Sequence, residues 1–229
     1  MNKSEVLEKI RTCGLVPAVR VDTEAQALRA LEALGNGGIS VAEVAMSMAG
    51  AARILEAALG RFGQDMVIGA GTVLDPETAR HCILAGARFI VSPALNLRTI
   101  KLCRRYGIAV LPGALTPTEI LAAWTAGADC VKVFPASSVG GPAYIHGVKA
   151  PLPQVELMPM GGVSLESAAD YIKAGSLALG VGNDLVRLSG LGEHGGAAIS
   201  KRAEDYRLRV EEARRLLANT SQREAERLG

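Results

Sequence analysis

The chain contains the stretch Ala126-Gly127-Ala128-Asp129-Cys130-Val131-Lys132-Val133-Phe134-Pro135, in which small residues end a helix and an apolar run follows at once. A short apolar run that is partly β-branched and bounded by such punctuation predicts a buried strand. The same punctuation recurs at Ala85-Gly86-Ala87 and at Ala174-Gly175-Ser176. Helix and strand patterns therefore alternate along the chain, about eight times in all, with short connections. This repeat predicts an α/β fold in which residues 1–229 form one domain, a closed parallel TIM (β/α)8 barrel with a short N-terminal helix.

Several predicted helices carry their own start signals. Asp75-Pro76 and Thr116-Pro117 each place a capping side chain before a proline at the first helical position, and Asn96 is a further predicted cap. A doubly wound open sheet is the alternative architecture. It is disfavoured because no GxGxxG motif follows the first predicted strand and no topological break is visible.

The C-terminal part of the chain is less regular. Residues 141–150 are predicted as a helix or a loop, Ser164 as the start of a helix, and residues 189–196 as a glycine-rich loop. Residues 199–217 have the pattern of a long amphipathic helix. We expect the residues after 217 to be frayed and solvated.

Composition excludes several functional classes. Of 229 residues, 49% are hydrophobic and only 3% aromatic, and the net charge is +2, which suits a large core but not a nucleic-acid interface. Four dispersed cysteines without a CxxC pair indicate a reducing compartment and no zinc site. The N-terminus is polar, unlike a signal peptide, and no apolar run reaches membrane-spanning length. We therefore expect a cytoplasmic protein with no metal, no cofactor and no membrane partner.

Lys132 is unusual because its charge falls inside a predicted buried strand. Strands of an all-parallel sheet are covered on both faces, so a charged amine there is costly. Burial lowers a lysine pKa, and a neutral amine is a nucleophile. The pattern thus indicates a lysine that forms Schiff bases. The alternative is an amine that reaches water at the strand end or pairs with a carboxylate.

In a barrel of this kind, the active site lies at the C-terminal ends of the strands. Glu43 follows Gly38 by five residues and Lys132 follows Gly127 by five, so we expect both side chains to point the same way. Two interpretations remain: a structural ion pair, which would raise the lysine pKa, or a carboxylate that makes the proton transfers of imine chemistry. The predicted strand ends together hold Arg20, Glu43, Thr72, Pro93, Lys132, Gly161-Gly162 and Gly182-Asn183.

Two glycine turns, Gly161-Gly162 and Gly182-Asn183, follow the last two predicted strands. Barrels often bind phosphate there through bare backbone N–H groups, although such glycines can also be ordinary turn residues. Arg20 either holds a carboxylate or phosphate at the rim or is simply solvated. Thr72 either donates its hydroxyl to a substrate carboxylate or caps the following turn.

The motifs Ala18-Val19-Arg20, Gly69-Ala70-Gly71-Thr72-Val73-Leu74, Val131-Lys132-Val133-Phe134-Pro135-Ala136 and Met160-Gly161-Gly162-Val163 together resemble the 2-keto-3-deoxy-6-phosphogluconate (KDPG/KHG) aldolase family. The resemblance runs in order through about Val186. It implies a metal-independent class I aldolase, a homotrimeric TIM barrel that cleaves a phosphorylated 2-keto-3-deoxy sugar acid into pyruvate and glyceraldehyde 3-phosphate.

The same resemblance implies roles for individual residues. Lys132 would form the Schiff base, and Glu43 would be the general acid and base. The remaining roles would be carboxylate contact for Thr72, lining of the pyruvyl pocket for Pro93 and Phe134, and phosphate binding for Gly161, Gly162, Gly182 and Asn183.

Two departures from the family pattern bear on the substrate. Ser47 stands where some members have arginine, so carboxylate binding would depend on Thr72 and Arg20, and Asn183 stands where members often have serine. Both leave open whether the gluconate or the galactonate configuration is preferred. Rival interpretations are a phosphosugar isomerase or epimerase on the same barrel, and a barrel that binds a phosphorylated ligand without catalysis.

Overall fold

The computed structural model describes residues 1–187 and 195–228, and in them short strands alternate with helices. The predicted caps are confirmed: Thr78 N donates to Asp75 Oδ1 at 2.6 Å, and Asn96 Oδ1 accepts from Thr99 N at 3.2 Å. The helices are α1 (Lys3–Cys13), α2 (Glu24–Asn36), α3 (Ala51–Phe62), α4 (Pro76–Leu84), α5 (Leu97–Tyr106), α6 (Pro117–Thr125), α7 (Pro142–Lys149), α8 (Ala168–Lys173) and α9 (Gly195–Leu228), with a 3-10 turn at Ser137–Val139.

The strands within the described residues pair in parallel throughout. One sheet has the order β5-β4-β3-β2-β1-β9 and a second has the order β6-β7-β8. The strands are β1 (Leu15–Val19), β2 (Val41–Ala45), β3 (Val67–Gly71), β4 (Phe89–Val91), β5 (Ala109–Leu111), β6 (Gly113–Ala114), β7 (Val131–Val133), β8 (Leu157–Pro159) and β9 (Leu179–Val181).

The strand order identifies a curled parallel sheet. From β5 to β1 each strand neighbours the next in sequence, and the last strand, β9, lies beside the first. A doubly wound sheet would instead reverse its order at a switch point, so that alternative is wrong. The structure is therefore an α/β fold whose parallel sheet curls, as the repeat predicted.

Side chains alternate between the two faces of each strand, and this alternation defines an interior. Val16, Val41, Val67, Phe89 and Cys130 belong to one buried cluster, each contributed by a strand or the residue just before it. Val6 and Ile10 of α1 belong to the same cluster, so the apolar face of the first helix packs against the interior. The first helix thus covers the amino-terminal end of the interior.

In the C-terminal part the structure decides one open alternative and corrects two predictions. Of the two alternatives for residues 141–150, the helix is observed, at Pro142–Lys149. Helix α8 begins only at Ala168, because Ser164 and Ser167 hydrogen-bond within a turn before it. The last helix spans Gly195–Leu228 rather than 199–217, since no glycine or proline interrupts residues 197–228. Residues 189–194 of the predicted loop lie outside the described residues.

The long last helix raises the question of a membrane span. Although α9 has 34 residues, neither it nor another helix of the described part of the chain is apolar enough to cross a bilayer.

Packing of α2 against α9 depends on Gly37. A β-carbon there would lie 2.4 Å from Ala203 Cβ and 2.6 Å from the Ser200 carbonyl oxygen. We therefore expect Gly37→Ala to destabilise the fold by about 1–3 kcal/mol, measured by urea unfolding at fixed protein concentration.

Gly60→Ala is the matched control, because among the described residues no atom lies within 4 Å of its added β-carbon. This exposed position in α3 should gain about 0.5–1 kcal/mol from helix propensity. Equal effects of the two substitutions would contradict the packing interpretation.

Candidate active site

Glu43 and Lys132 face the interior because of strand alternation. Val41 and Cys130 belong to the buried cluster of the strand interior described above. Glu43 and Lys132 each lie two residues after one of them, and therefore point to the same side. In the β-ladder Glu43 is level with Ala18 and Gly69. Lys132 is level with Gly113 and Met158 in the second sheet. The two functional groups thus approach one space from different parts of the sheet.

That space is a cavity of about 390 Å³. It lies at the carboxyl ends of the strands, where parallel α/β folds place their ligands. Besides the predicted residues, Ala18, Met160, Val163 and Asp184 line it. Every residue that the sequence put forward for the site lies on its wall: Arg20, Glu43, Thr72, Pro93, Lys132, Phe134, Gly161, Gly162, Gly182 and Asn183.

Lys132 is nearly excluded from solvent, with 4% of its surface exposed. Burial lowers the pKa of its amine; the neighbouring Glu43 opposes this effect and Arg20 adds to it. Its Nζ stands 5.0 Å from the centre of the Phe134 ring. Within the described part of the chain, no carboxylate lies within the 4.0 Å of an ion pair with this amine. The amine is therefore close to a carboxyl group but not tied to it.

Glu43 is buried still more completely, at 1% exposure. Burial raises the pKa of its carboxyl, although Lys132 and Arg20 both pull it down. Among the described residues its Oε2 has no hydrogen-bond partner. A buried polar atom without a partner is costly, and such atoms concentrate at sites where a ligand completes the bonding. An uncharged amine facing a protonated carboxyl is the arrangement that burial favours here.

Gly71 provides the room for this carboxyl. A β-carbon at position 71 would lie 2.5 Å from both Cδ and Oε1 of Glu43. The residue at this position of β3 must therefore lack a side chain. The glycines of the Gly69-Ala70-Gly71-Thr72 motif thus have a steric purpose.

Thr72 has an unusual backbone, with φ at +56°. A β-branched residue in the left-handed region is strained, and such strain is found preferentially at functional sites. Arg20 Nη2 donates to Thr72 Oγ1 at 3.2 Å. Arg20 is otherwise exposed, so the contact joins a solvent-facing cation to a hydroxyl on the cavity wall.

The two glycine turns differ in what holds them. Gly161 and Gly162 have φ of 85° and 75°, and a β-carbon at Gly162 would lie 2.0 Å from Ser137 Oγ. Glycine is thus required at the first turn. At Gly182, by contrast, no described atom lies within 4 Å of the place of a β-carbon.

Asp184 is a cavity residue that sequence reasoning missed. Its Oδ2 accepts from Arg202 Nη2 at 2.6 Å and from Tyr206 Oη at 2.5 Å. The partners lie far along the chain in α9, so no local motif announces the contact. The only sequence signal was its position directly after Gly182-Asn183.

The lowered pKa of Lys132 gives a pH prediction. Because only the neutral amine attacks a carbonyl, a lower pKa shifts the rise of reactivity to lower pH. We expect half-maximal reductive alkylation of Lys132 by acetaldehyde and cyanoborohydride, followed by peptide mass spectrometry, at a lower pH than for exposed Lys101 in the same sample. Coincident pH profiles for the two lysines would show that burial leaves the Lys132 amine unperturbed.

Comparison with known proteins assigns the family. The family model for KDPG and KHG aldolases matches residues 6–201. A 2-dehydro-3-deoxy-phosphogluconate aldolase of Treponema pallidum is 36% identical over 168 residues, which cover 73% of this chain and 78% of that protein. A 2-dehydro-3-deoxy-6-phosphogalactonate aldolase of Escherichia coli is 36% identical over 174 residues, covering 76% and 84%.

A solved structure agrees with these relatives. The KDPG aldolase from Legionella pneumophila, with pyruvate captured at low pH as a covalent carbinolamine intermediate, has a TM-score of 0.81 and 27% identity over 87% of this chain and 96% of that one. The resemblance inferred from the motifs is thereby confirmed. The chain belongs to the KDPG and KHG aldolase family of lyases.

Proposed function

We propose that the chain cleaves 2-keto-3-deoxy-6-phosphogluconate into pyruvate and glyceraldehyde 3-phosphate through a Schiff base on Lys132. The observation that carries this proposal is the Lys132 amine on the wall of the cavity that also holds Glu43: it is buried, its pKa is lowered, and no described residue forms an ion pair with it. A lowered pKa raises the fraction of neutral amine at a given pH, and the neutral amine is the nucleophile. The same cavity has room and polar groups for a small keto acid.

In this mechanism the Lys132 amine attacks the C2 ketone of the substrate and forms a carbinolamine. Glu43, whose pKa burial raises, gives a proton to the carbinolamine hydroxyl, which leaves as water. The products of this step are a cationic iminium and a Glu43 carboxylate. The two opposite charges then stabilise each other in a site with little water.

Cleavage follows from the same pair. The Glu43 carboxylate takes the proton of the C4 hydroxyl, the C3–C4 bond breaks, and its electrons move into the iminium to give an enamine. Glyceraldehyde 3-phosphate leaves as the aldehyde. Glu43 then returns its proton to C3, and water hydrolyses the iminium to pyruvate and free Lys132. One carboxyl group thus alternates between acid and base. Its pKa permits this because burial raises it while Lys132 and Arg20 lower it.

Binding groups are assigned to the two ends of the substrate. The Thr72 hydroxyl, supported by its hydrogen bond from Arg20, would hold the carboxylate. Ser47, which stands where some family members have arginine, is exposed and supplies no cation for this contact. Pro93 and Phe134 would line the pyruvyl pocket. The Gly161-Gly162 and Gly182-Asn183 turns would hold the phosphate, since bare backbone lets an anion approach N–H groups closely.

We also propose that the two sheets form one closed (β/α)8 barrel. Supporting this, only Pro112 separates β5 from β6, and its carbonyl accepts from Lys132 N at 2.9 Å. Met160 pairs in parallel with Gly180, which joins the end of β8 to β9. With β5 and β6 counted as one strand, the ring has the eight strands of a TIM barrel.

A homotrimer of single-domain chains in the cytoplasm is the proposed form of the protein. Leu74, Leu84 and Leu97, on or beside the helices α4 and α5, are at least 53% exposed, and an oligomer would cover such side chains. Sedimentation equilibrium tests the trimer. The cytoplasmic location and the single domain over residues 1–229 stay predictions from the sequence.

The decisive experiment is trapping with pyruvate. Borohydride added in the presence of pyruvate should leave a reduced pyruvyl adduct on Lys132 and on no exposed lysine such as Lys101, detected by peptide mass spectrometry. Lys132→Met should abolish the adduct and lower kcat by at least about 10³-fold, whereas Lys101→Met should change neither. No adduct on the native protein would favour a phosphosugar isomerase or epimerase, or a non-catalytic binding barrel.

Substrate configuration is tested in the same preparation. A lactate-dehydrogenase-coupled pyruvate assay on the gluconate and galactonate substrates, side by side, should give the higher kcat/KM with gluconate. Activity should withstand EDTA, because the lysine replaces a metal in activating the carbonyl. A preference for galactonate would reverse the assignment, and loss of activity that a divalent cation restores would replace the Schiff-base mechanism.

Crowding at Gly71 tests the role of Glu43. Glu43→Gln should lower kcat about 10²–10⁴-fold, the usual size of a general acid–base contribution. Gly71→Ala should lower kcat as well, because its methyl group takes the place of the Glu43 carboxyl. Gly60→Ala controls for the added methyl group alone. Full activity of Gly71→Ala would contradict the position assigned to Glu43.

A further inference from the structure

The turn that follows β9 is tied to the last helix by one carboxylate. Asp184 receives Arg202 Nη2 and Tyr206 Oη on the same oxygen, at 2.6 and 2.5 Å, while Arg202 Nε donates to the Asp184 backbone oxygen at 2.6 Å. The guanidinium thus holds both the side chain and the main chain of one residue. Such bidentate contacts fix geometry as well as adding energy.

This restraint acts directly beside the proposed phosphate turn. Gly182 and Asn183 precede Asp184 in the chain, and all three line the cavity. The backbone of the turn closes on itself where Leu185 N and Val186 N donate to Gly182 O at 3.0 and 3.1 Å. Gly182 has open space where a β-carbon would lie, whereas Leu185 and Val186, which follow it in the chain, are buried in the core.

The first glycine turn is held in another way. Ser137 N donates to Gly161 O at 3.1 Å, and Ala136 N donates to Met160 O at 2.8 Å. Main-chain hydrogen bonds from the segment after β7 therefore restrain the Gly161-Gly162 turn. The Gly182-Asn183 turn has local hydrogen bonds of its own and is tied in addition, through Asp184, to side chains that α9 supplies.

Charge gives the contact a second consequence. A carboxylate beside a phosphate dianion would repel it. Asp184 is neutralised on both oxygens, by Arg202 at Oδ2 and by Arg187 Nη2 at 3.1 Å from Oδ1. Tyr206 is fully buried, and its hydroxyl donates a second hydrogen bond to Asp184 Oδ2. The carboxylate can therefore serve as an anchor at the phosphate end of the cavity.

We infer that Arg202 and Tyr206 are positioning residues for recognition of the substrate's phosphate: acting through Asp184, they hold the Gly182-Asn183 turn where its backbone meets that group. This inference rests on the proposed function for its substrate. It predicts that α9 governs discrimination between phosphorylated and unphosphorylated keto sugar acids while leaving the chemistry at Lys132 unchanged.

Tyr206→Phe and Arg202→Lys test it. The first removes one hydroxyl from a buried ring of unchanged shape, and the second keeps the charge but loses the double contact. Each should raise KM for 2-keto-3-deoxy-6-phosphogluconate about tenfold, the scale set by loss of a hydrogen bond to a charged group. The kcat, the rate of pyruvate trapping on Lys132 and the KM for unphosphorylated 2-keto-3-deoxygluconate should stay within about twofold of the native values.

Lys3→Met is the matched control. It breaks the Lys3–Asp129 ion pair of 2.7 Å, which lies at the opposite end of the strands, before β7. Lys3→Met should lower Tm about as much as Tyr206→Phe and Arg202→Lys do, but it should not raise KM. This difference separates phosphate recognition from general stability.

Equal increases of KM for the phosphorylated and unphosphorylated substrates, or none for either, would overturn the inference. A second measurement is independent of turnover: inorganic phosphate should raise the Tm of the native protein and raise that of Tyr206→Phe less. Equal shifts would also overturn it. If the native protein neither traps pyruvate nor cleaves substrate, the proposed function fails, and the phosphate-dependent Tm still decides whether α9 positions an anion site.

Discussion

Burial of the Lys132 amine is costly only while the amine carries its proton. The surrounding strands therefore lower the pKa of the amine, because loss of the proton removes the cost of burying a charge. A carboxylate in contact would have removed the effect, because an ion pair stabilises the charged amine. Glu43 shares the cavity wall with Lys132 and acts on the amine electrostatically, but it lies beyond ion-pair distance. Its own burial favours the uncharged carboxyl. Burial thus favours the uncharged form of each group, while the attraction between the two charged forms opposes it.

Steric room for this pair comes from glycine on the inward-facing positions. Gly71 makes way for the Glu43 carboxyl, and Gly69 for the Phe89 ring, whose atoms would lie 2.6 Å from an added β-carbon. Large side chains in the interior therefore alternate with residues that have none. Close packing of this kind leaves little freedom to move a functional group without moving its neighbours. The chemistry and the packing of the sheet are specified by the same residues.

Much of this arrangement could be read from the sequence, because strand alternation has a fixed period. A residue count from Gly38 to Glu43 and from Gly127 to Lys132 sufficed to predict that both side chains face the same way, and both line the cavity. Asp184 could not be found in this manner, since its partners depend on how α9 packs across the sheet. The left-handed backbone of Thr72 was equally invisible, because threonine disfavours that conformation and only the surrounding structure imposes it.

The backbone of Thr72 has a consequence for ligand affinity. Folding forces this residue into its unfavourable conformation before any substrate is present, and the hydrogen bond from Arg20 fixes the hydroxyl further. In the role proposed for Thr72, a carboxylate would meet a hydroxyl donor whose conformational entropy has already been lost, so more of the interaction energy would be available for holding the ligand. Replacement by glycine would relax the chain but give up the hydroxyl and its preset orientation. Backbone strain that the unliganded protein already carries at Thr72 would thus favour the proposed binding of a carboxylate over a ligand that cannot use the fixed hydroxyl.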